Sequence, residues 1–263
     1  MIREHLTDTA ISHGRFIVKL AVTRQEIEAA FRLRFEVFNM ELREGHPESY
    51  LSGMDQDAYD DYCDHLIVID TEYEKVVGNY RMMSGTAAEN PLGYYSETEF
   101  DLTALRDLPG AKLELGRSCV HKDFRNASVI GLLWRGIASY IDNYNIRHLF
   151  GCASLHSSNP AEVSVVYSYL NRFHRADSRY HVRPLRRLKD VQMLSFCDRE
   201  QAFSIMPPLM KGYLRLGAQI CGEPAYDPVF GTTDFLILLD TEKLLGRYRR
   251  KFFSVAPEPA CTA

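Results

Sequence analysis

The run "KLELGRSCVHKDFR", Lys112 to Arg125, places Glu114 and Arg117 three residues apart in a stretch that otherwise reads as a strand. Charged groups are costly to bury unless they are paired or used in chemistry. A carboxylate here can take the proton of an attacking amine, and a nearby guanidinium can orient or neutralise that carboxylate. Strict alternation puts Glu114, Gly116 and Ser118 on one face and Leu113, Leu115 and Arg117 on the other. The two charges share a face only if the strand bulges, and Gly116 suits a bulge. Further charges sit where a simple core would not want them. Arg34 lies near the aromatic stripe of a first helix, Asp57 and Asp60 precede an apolar strand in "DQDAYDDYCDHLIV", and Arg81 ends the run "VVGNYR". Each alone is equally compatible with an ordinary surface charge.

Two other chemistries compete for the same residues. Cys119, followed by Val120 and His121, suggests a Cys–His nucleophile, although free cysteine is also a common buried strand residue. An amine that attacks directly needs no such nucleophile. The aspartate run lacks the glycine and terminal glutamate of an EF-hand loop, so no metal is expected there.

The elements that must position these residues follow from periodicity. "GRFIVKLAV" reads as a strand. The next run reads as a helix, with Thr23 and Glu26 spaced as a capping box and Ile27, Phe31, Phe35 and Phe38 on one stripe. "HLIVID" and "KVVGNYRMM", separated by "TEYE", predict an antiparallel hairpin, and the opening stretch supplies a strand through Val120. "SVIGLLWRGIASYIDNYNI" and "NPAEVSVVYSYLNRF" predict helices on either side of a strand in "RHLFGCASL". Later come a helix in "PPLMKGYLRLGA", a strand in "DFLILL" and a closing helix in "TEKLLGRYRRKFF". Hairpins in front and strand–helix–strand crossovers behind imply an α/β or α+β fold, a mixed sheet flanked by helices. No repeat or Gly/Ser linker divides the chain, so residues 1–263 read as one domain.

Bulk properties narrow the function classes. A net charge of -4 with 25% charged residues excludes a general polyanion binder, and no nucleic-acid partner is expected. The charge is nonetheless uneven. Residues 41–64 hold eight acids against Arg43, and residues 172–189 hold seven bases against Asp177. Such runs are either solvated faces or places that meet a cation and an anionic partner. The six cysteines are scattered without a CxxC, which reads as a reduced, cytoplasmic chain. No signal-peptide core opens the sequence, and no window approaches the roughly 20 apolar residues of a membrane span. The chain is expected at most to rest on a membrane face.

The linked set "RLRFEVF", "DAYD", "GNYR" and "ELGR" resembles the arrangement of acyl-homoserine-lactone synthases, a branch of the GNAT-like acyltransferases. "DDYCDHLIV", "ELGRSCVHKDFR", "LFGCASL" and "LMKGYLRLGAQICGEPAYDPVFGTTDFLILLD" are closer to the bacterial ornithine N-acyltransferases of ornithine-lipid synthesis and the long-chain N-acyl amino acid synthases. The resemblance runs from about Arg32 to near the C-terminus. It implies a GNAT-like acyl-CoA N-acyltransferase fold, with residues from about 175 to 263 as a family-specific extension.

It also implies transfer of a 3-hydroxy fatty acyl group from acyl carrier protein to the α-amine of an amino acid. Ornithine is the leading acceptor, lyso-ornithine lipid would be the product, and no permanently bound cofactor is needed. The family's functional residues map onto Arg34, Phe38, Asp57, Asp60, Arg81, Glu114 and Arg117. On this mapping Glu114 is the base and Arg117 its partner, bulge amides serve the oxyanion, and Asp57 and Asp60 meet a cationic acceptor. Val120 and Arg125 fall on the donor side. The phosphate loop that begins at Arg125 reads "RNASVI", with Ser128 and Ile130 where glycines are usual, which favours a carrier-protein thioester over coenzyme A. Arg186 and Arg187, in the basic tract, are expected to dock the acidic carrier protein. A neutral amino acid acceptor, an acetyl-CoA-dependent transferase and a non-catalytic lipid- or protein-binding module are the alternatives.

Overall fold

The computed structural model describes residues 10–125, 127–244 and 252. Its centre is a mixed nine-stranded sheet. The strands are β1 (Ile11–His13), β2 (Phe16–Leu20), β3 (Asp64–Asp70), β4 (Lys75–Ser84), β5 (Ala111–Val120), β6 (Ile146–Leu155), β7 (Gln219–Ile220), β8 (Ala225–Asp227) and β9 (Thr232–Asp240). They lie in the order β1-β2-β3-β4-β5-β6-β9-β8, and β7 also pairs with β9. All neighbours are antiparallel except β5 and β6. Both faces are covered, which is why β3 is apolar at consecutive positions. Leu66 and Val68 pack under helix α2 (Ala127–Tyr144), while Ile67 and Ile69 pack under helix α1 (Arg24–Phe35).

Helix α1 starts as its sequence requires. The Thr23 side chain accepts from the Glu26 amide, and the Glu26 carboxylate accepts from the Thr23 amide. It does not continue regularly to Phe38. Over Glu36–Glu41 it widens into a π-turn, with the Leu42 amide reaching Val37 O at 3.0 Å. Such insertions often mark functional sites, and this one carries Phe38. Helices α3 (Pro160–Phe173), α4 (Arg199–Ile205) and α5 (Pro208–Leu216) share the α2 core. The C-terminal part of the chain is woven into the sheet, because β9 pairs with β6 along its whole length. Most of the closing helix expected in "TEKLLGRYRRKFF" lies outside the described residues.

Two irregularities shape the centre. The expected bulge in β5 is present. Asn79 pairs with Cys119 and Arg81 with Gly116, so Tyr80 faces both Arg117 and Ser118. The left-handed residue is Arg117 itself, at φ 45°, and not Gly116. Non-glycine residues reach this region at some cost, and the Asn79 amide holds Arg117 there by donating to its carbonyl at 2.9 Å. The second irregularity is a splay. Parallel pairing of β5 with β6 runs from Ala111 to Glu114 and then stops, although both strands continue.

Where the splay begins, Gly151 of β6 approaches β5 so closely that an added Cβ would stand 2.2 Å from Leu115 O. Backbone cannot yield as a flexible side chain can. Gly151→Ala is therefore expected to destabilise the fold by about 1–3 kcal/mol. The readout is the urea unfolding midpoint, and an unchanged midpoint would show that the strands can part further without loss.

Candidate active site

The splay opens a cleft of about 670 Å³. One end is polar and holds Arg81, Glu114, Arg117, Asp227 and Asp234. The other is apolar, walled by Leu133 and Trp134 of α2 and by Ile205, Leu209, Met210 and Tyr213 from the C-terminal helices. Phe38 and Val37 of the π-turn border it as well.

Below the polar end lies a buried array of three arginines and three aspartates. Arg34, fully buried, donates from Nε to Asp55 Oδ1 at 2.7 Å and from Nη1 to Asp60 Oδ1 at 2.7 Å. Arg81 Nη1 reaches both Asp57 oxygens at 2.7 Å and Asp60 Oδ1 at 3.3 Å. Arg117 Nη2 donates to Asp57 Oδ2 at 3.2 Å, and its Nε lies 3.4 Å from Asp55 Oδ1. Burial raises the Asp60 carboxyl, but Arg34 and Arg81 more than reverse this, so it ends well below the ordinary range. These contacts correct one expectation. Asp57 and Asp60 are occupied by the protein's own guanidiniums, three cations to three anions, so they offer no net charge to a cationic acceptor. Arg34 likewise has no exposed surface with which to meet a substrate.

Glu114 and Arg117 both line the cleft, as a bulged strand allows. Their partners differ from those expected. No hydrogen bond or ion pair joins the two among the described residues. Glu114 instead caps a tight turn at Tyr95–Thr98. Its Oε1 accepts from the Ser96 amide at 2.7 Å and from Ser96 Oγ at 2.5 Å, and its Oε2 accepts from the Tyr95 amide at 2.9 Å. Burial nonetheless keeps its carboxyl above the ordinary range, with Ser96 and Arg81 opposing the shift. Arg117 is clamped between the rings of Tyr95 at 5.1 Å and Phe230 at 4.8 Å. The result is a fixed carboxylate and a fixed guanidinium lining one cleft.

Val120 and Arg125, expected on the donor side, line the cleft. Arg125 donates to Val120 O at 3.1 Å and to both Glu41 oxygens at 2.6 Å. Asn126 of the "RNASVI" loop lies outside the described residues, while Ile130 projects half-exposed into the cleft. Arg186 and Arg187 do not line it. Arg186 reaches Thr98 O at 3.4 Å, and Arg187 pairs with Glu223 at 3.0 Å. Burial pushes the Cys119 thiol up to about 12, so it is not a thiolate nucleophile at neutral pH.

The sequence reading missed Asp55, the turn at Tyr95–Thr98, and a second acidic group. Asp55 stood in the quoted aspartate run. Asp234 carries the clearer signal, an acid heading the apolar strand "DFLILL". Glu99, Cys152 and Asp234 bring ligand-type atoms within 4.8 Å of one another, in a chain for which no metal site was expected.

Residues 33–135 match the family model described as "Acetyltransferase (GNAT) domain". An N-acyl amino acid synthase from uncultured soil microbes superposes with a TM-score of 0.52 at 10% identity, covering 89% of this chain and 93% of its own. The fold is that of the GNAT class. The L-ornithine N(alpha)-acyltransferase of Brucella abortus is 39% identical over 89% of this chain and 88% of its own length. That of Rhizobium meliloti is 37% identical over 88% and 81%. The chain belongs to the L-ornithine N(alpha)-acyltransferase family.

The array makes a stability prediction. Removing one partner of a buried ion pair typically costs about 3–5 kcal/mol, so Asp60→Asn should lower stability by that order at neutral pH. Because the folded carboxyl titrates below the unfolded one, its contribution is complete above about pH 4 and is lost as pH falls through the depressed value. Urea unfolding of wild type and variant should therefore converge only in strong acid. A constant gap down to pH 2 would contradict the assignment.

Proposed function

We propose that the protein moves a 3-hydroxy fatty acyl group from acyl carrier protein to the α-amine of L-ornithine, giving lyso-ornithine lipid. The observation that carries this reading is a single cleft with a buried carboxylate and guanidinium at one end and an apolar wall at the other. The relatives' names supply the acceptor.

In this reading Glu114 accepts the proton of the amine as its nitrogen attacks the thioester carbonyl. An amide bond forms, the carbon–sulfur bond breaks, and the proton passes to the departing thiolate. Three donors hold the Glu114 carboxylate in place, and burial raises its titration above the ordinary range, which makes it a stronger base. Arg117, over the rings of Tyr95 and Phe230, would meet the acceptor's carboxylate only with donors that Asp55 and Asp57 leave unused, and backbone amides at the bulge would serve the oxyanion. The acyl chain would lie along Trp134, Met210 and Tyr213. That makes the segment after about residue 175 a family-specific wall of the single domain.

Ile130 at the start of α2 supports a carrier-protein donor, since a branched side chain stands where a bound pyrophosphate needs close backbone approach. Arg186 and Arg187, exposed beside Leu185, would then meet the carrier protein or a cytoplasmic membrane face, where the amphiphilic product must go. No helix among the described residues is long and apolar enough to cross a membrane.

Mass spectrometry of purified protein with acyl carrier protein thioesters and an amino-acid panel should show N-acylornithine. Acylation from acetyl-CoA alone would replace this reading. Glu114→Gln, whose amide nitrogen must face a buried backbone N–H, should lower the melting temperature and, in the folded variant, lose roughly 10²–10⁴-fold in kcat. Its wild-type counterpart should lose kcat/KM as pH falls through the raised carboxyl, because the base must be ionised. Near-normal turnover in the folded variant would remove Glu114 from the role.

A further inference from the structure

The polar end of the cleft holds two groups of acids with opposite electrostatics. Asp55, Asp57 and Asp60 are neutralised by arginines. Glu99, Asp227 and Asp234 are not, and no ion pair among the described residues involves any of the three. Glu99 is 3% exposed, and among the described residues neither of its carboxylate oxygens accepts a well-formed hydrogen bond, its nearest polar neighbours being Asp234 and Cys152. Asp234, also 3% exposed, receives Thr232 Oγ1 at 3.2 Å. Asp227 uses Oδ1 to accept the amides of Val229 and Phe230 at 2.7 and 3.2 Å. Asp227 and Asp234 line the cleft, and Glu99 stands behind them with an oxygen within 4.8 Å of Asp234 and Cys152. An acidic group without a cation is costly to bury unless something else neutralises it.

We propose that Glu99, Asp227 and Asp234 form a pocket for the side-chain ammonium of the acceptor. The proposal rests on the ornithine reading above and assigns the part of the site that would select a diamino acid. Its position suits that task. Cys152 Sγ donates to Ser96 Oγ at 3.4 Å, and Ser96 Oγ donates to Glu114, so one Cys–Ser layer separates the acid pocket from the base. An α-amine at Glu114 and a second amine three methylenes away would occupy the two ends.

The empty pocket must keep protons to limit its own repulsion. Burial and Asp234 push the Glu99 carboxyl up to about 10, and burial likewise raises Asp234. An arriving ammonium supplies the missing positive charge and lets carboxylates accept its hydrogen bonds. A divalent metal is the other cation that the ligand-type atoms of Glu99, Cys152 and Asp234 could hold.

The test compares L-ornithine with L-norvaline, the same chain without the ammonium, in both acyl transfer and calorimetric binding to the full-length protein. Wild type should prefer ornithine. In Asp234→Asn, and separately in Glu99→Gln, the ornithine/norvaline ratio of kcat/KM should fall roughly 10–100-fold, the range of a charged hydrogen bond. Ornithine's Kd should weaken in step, while the KM for the acyl donor stays in place. An unchanged ratio and Kd in either variant, with melting temperature retained, would overturn the pocket and leave ornithine acylation standing. A wild type that binds ornithine no better than norvaline would also overturn it. Stoichiometric zinc that the variants lose would replace the ammonium by a metal. If wild type binds ornithine but acylates only another amino acid, the functional reading fails separately.

Discussion

The mutual neutralisation of Arg34, Arg81 and Arg117 by Asp55, Asp57 and Asp60 is the constraint on which the rest of the cleft depends. Its members come from α1, the loop before β3, β4 and the bulged β5, so it fastens four separate segments at one point. A buried guanidinium fixes direction as well as distance, because its donors lie in one plane. Arg81 and Arg117 share the Tyr95 ring and the Asp57 carboxylate, so the turn carrying Tyr95 is located by the same array. That turn in turn presents its amides to Glu114. The Glu114 carboxylate is therefore held by a chain of contacts that begins in α1.

The splay and the bulge divide the labour of the two central strands. Before Glu114, β5 and β6 are ordinary sheet neighbours and carry core residues such as Leu113 and Leu149. Beyond it they part, and each lines one wall of the cleft. The bulge turns Arg117 to the side on which Glu114 already stands. Without the extra residue, strict alternation would put Arg117 on the face of Leu113 and Leu115, in the core under α2.

What the sequence disclosed follows from how local each feature is. The α1 capping box, the β3–β4 hairpin and the amphipathic α2 depend on neighbours in the chain, and all are present as their patterns require. The β5 bulge was legible from the need to bring Glu114 and Arg117 together, but its hinge was not, since left-handed geometry at Arg117 is enforced by Asn79 from the next strand. The roles of Asp57 and Asp60 misled for the same reason. An acid-rich run shows that cations are wanted, not whether protein or substrate supplies them. Glu99 and Asp227 have no local signature at all, because their environment is made by strands distant in sequence.

The placement of β9 has a consequence for synthesis. This strand is made late, yet it occupies the sheet's interior and covers the whole edge of β6. A ribosome that has released β6, α3 and α4 has produced a long apolar strand with one side unpaired, the kind of edge that recruits other chains. The nascent protein must hold that edge harmlessly until β9 arrives. Only then do Asp227 and Asp234 reach the cleft that Glu114 and Arg117 also line.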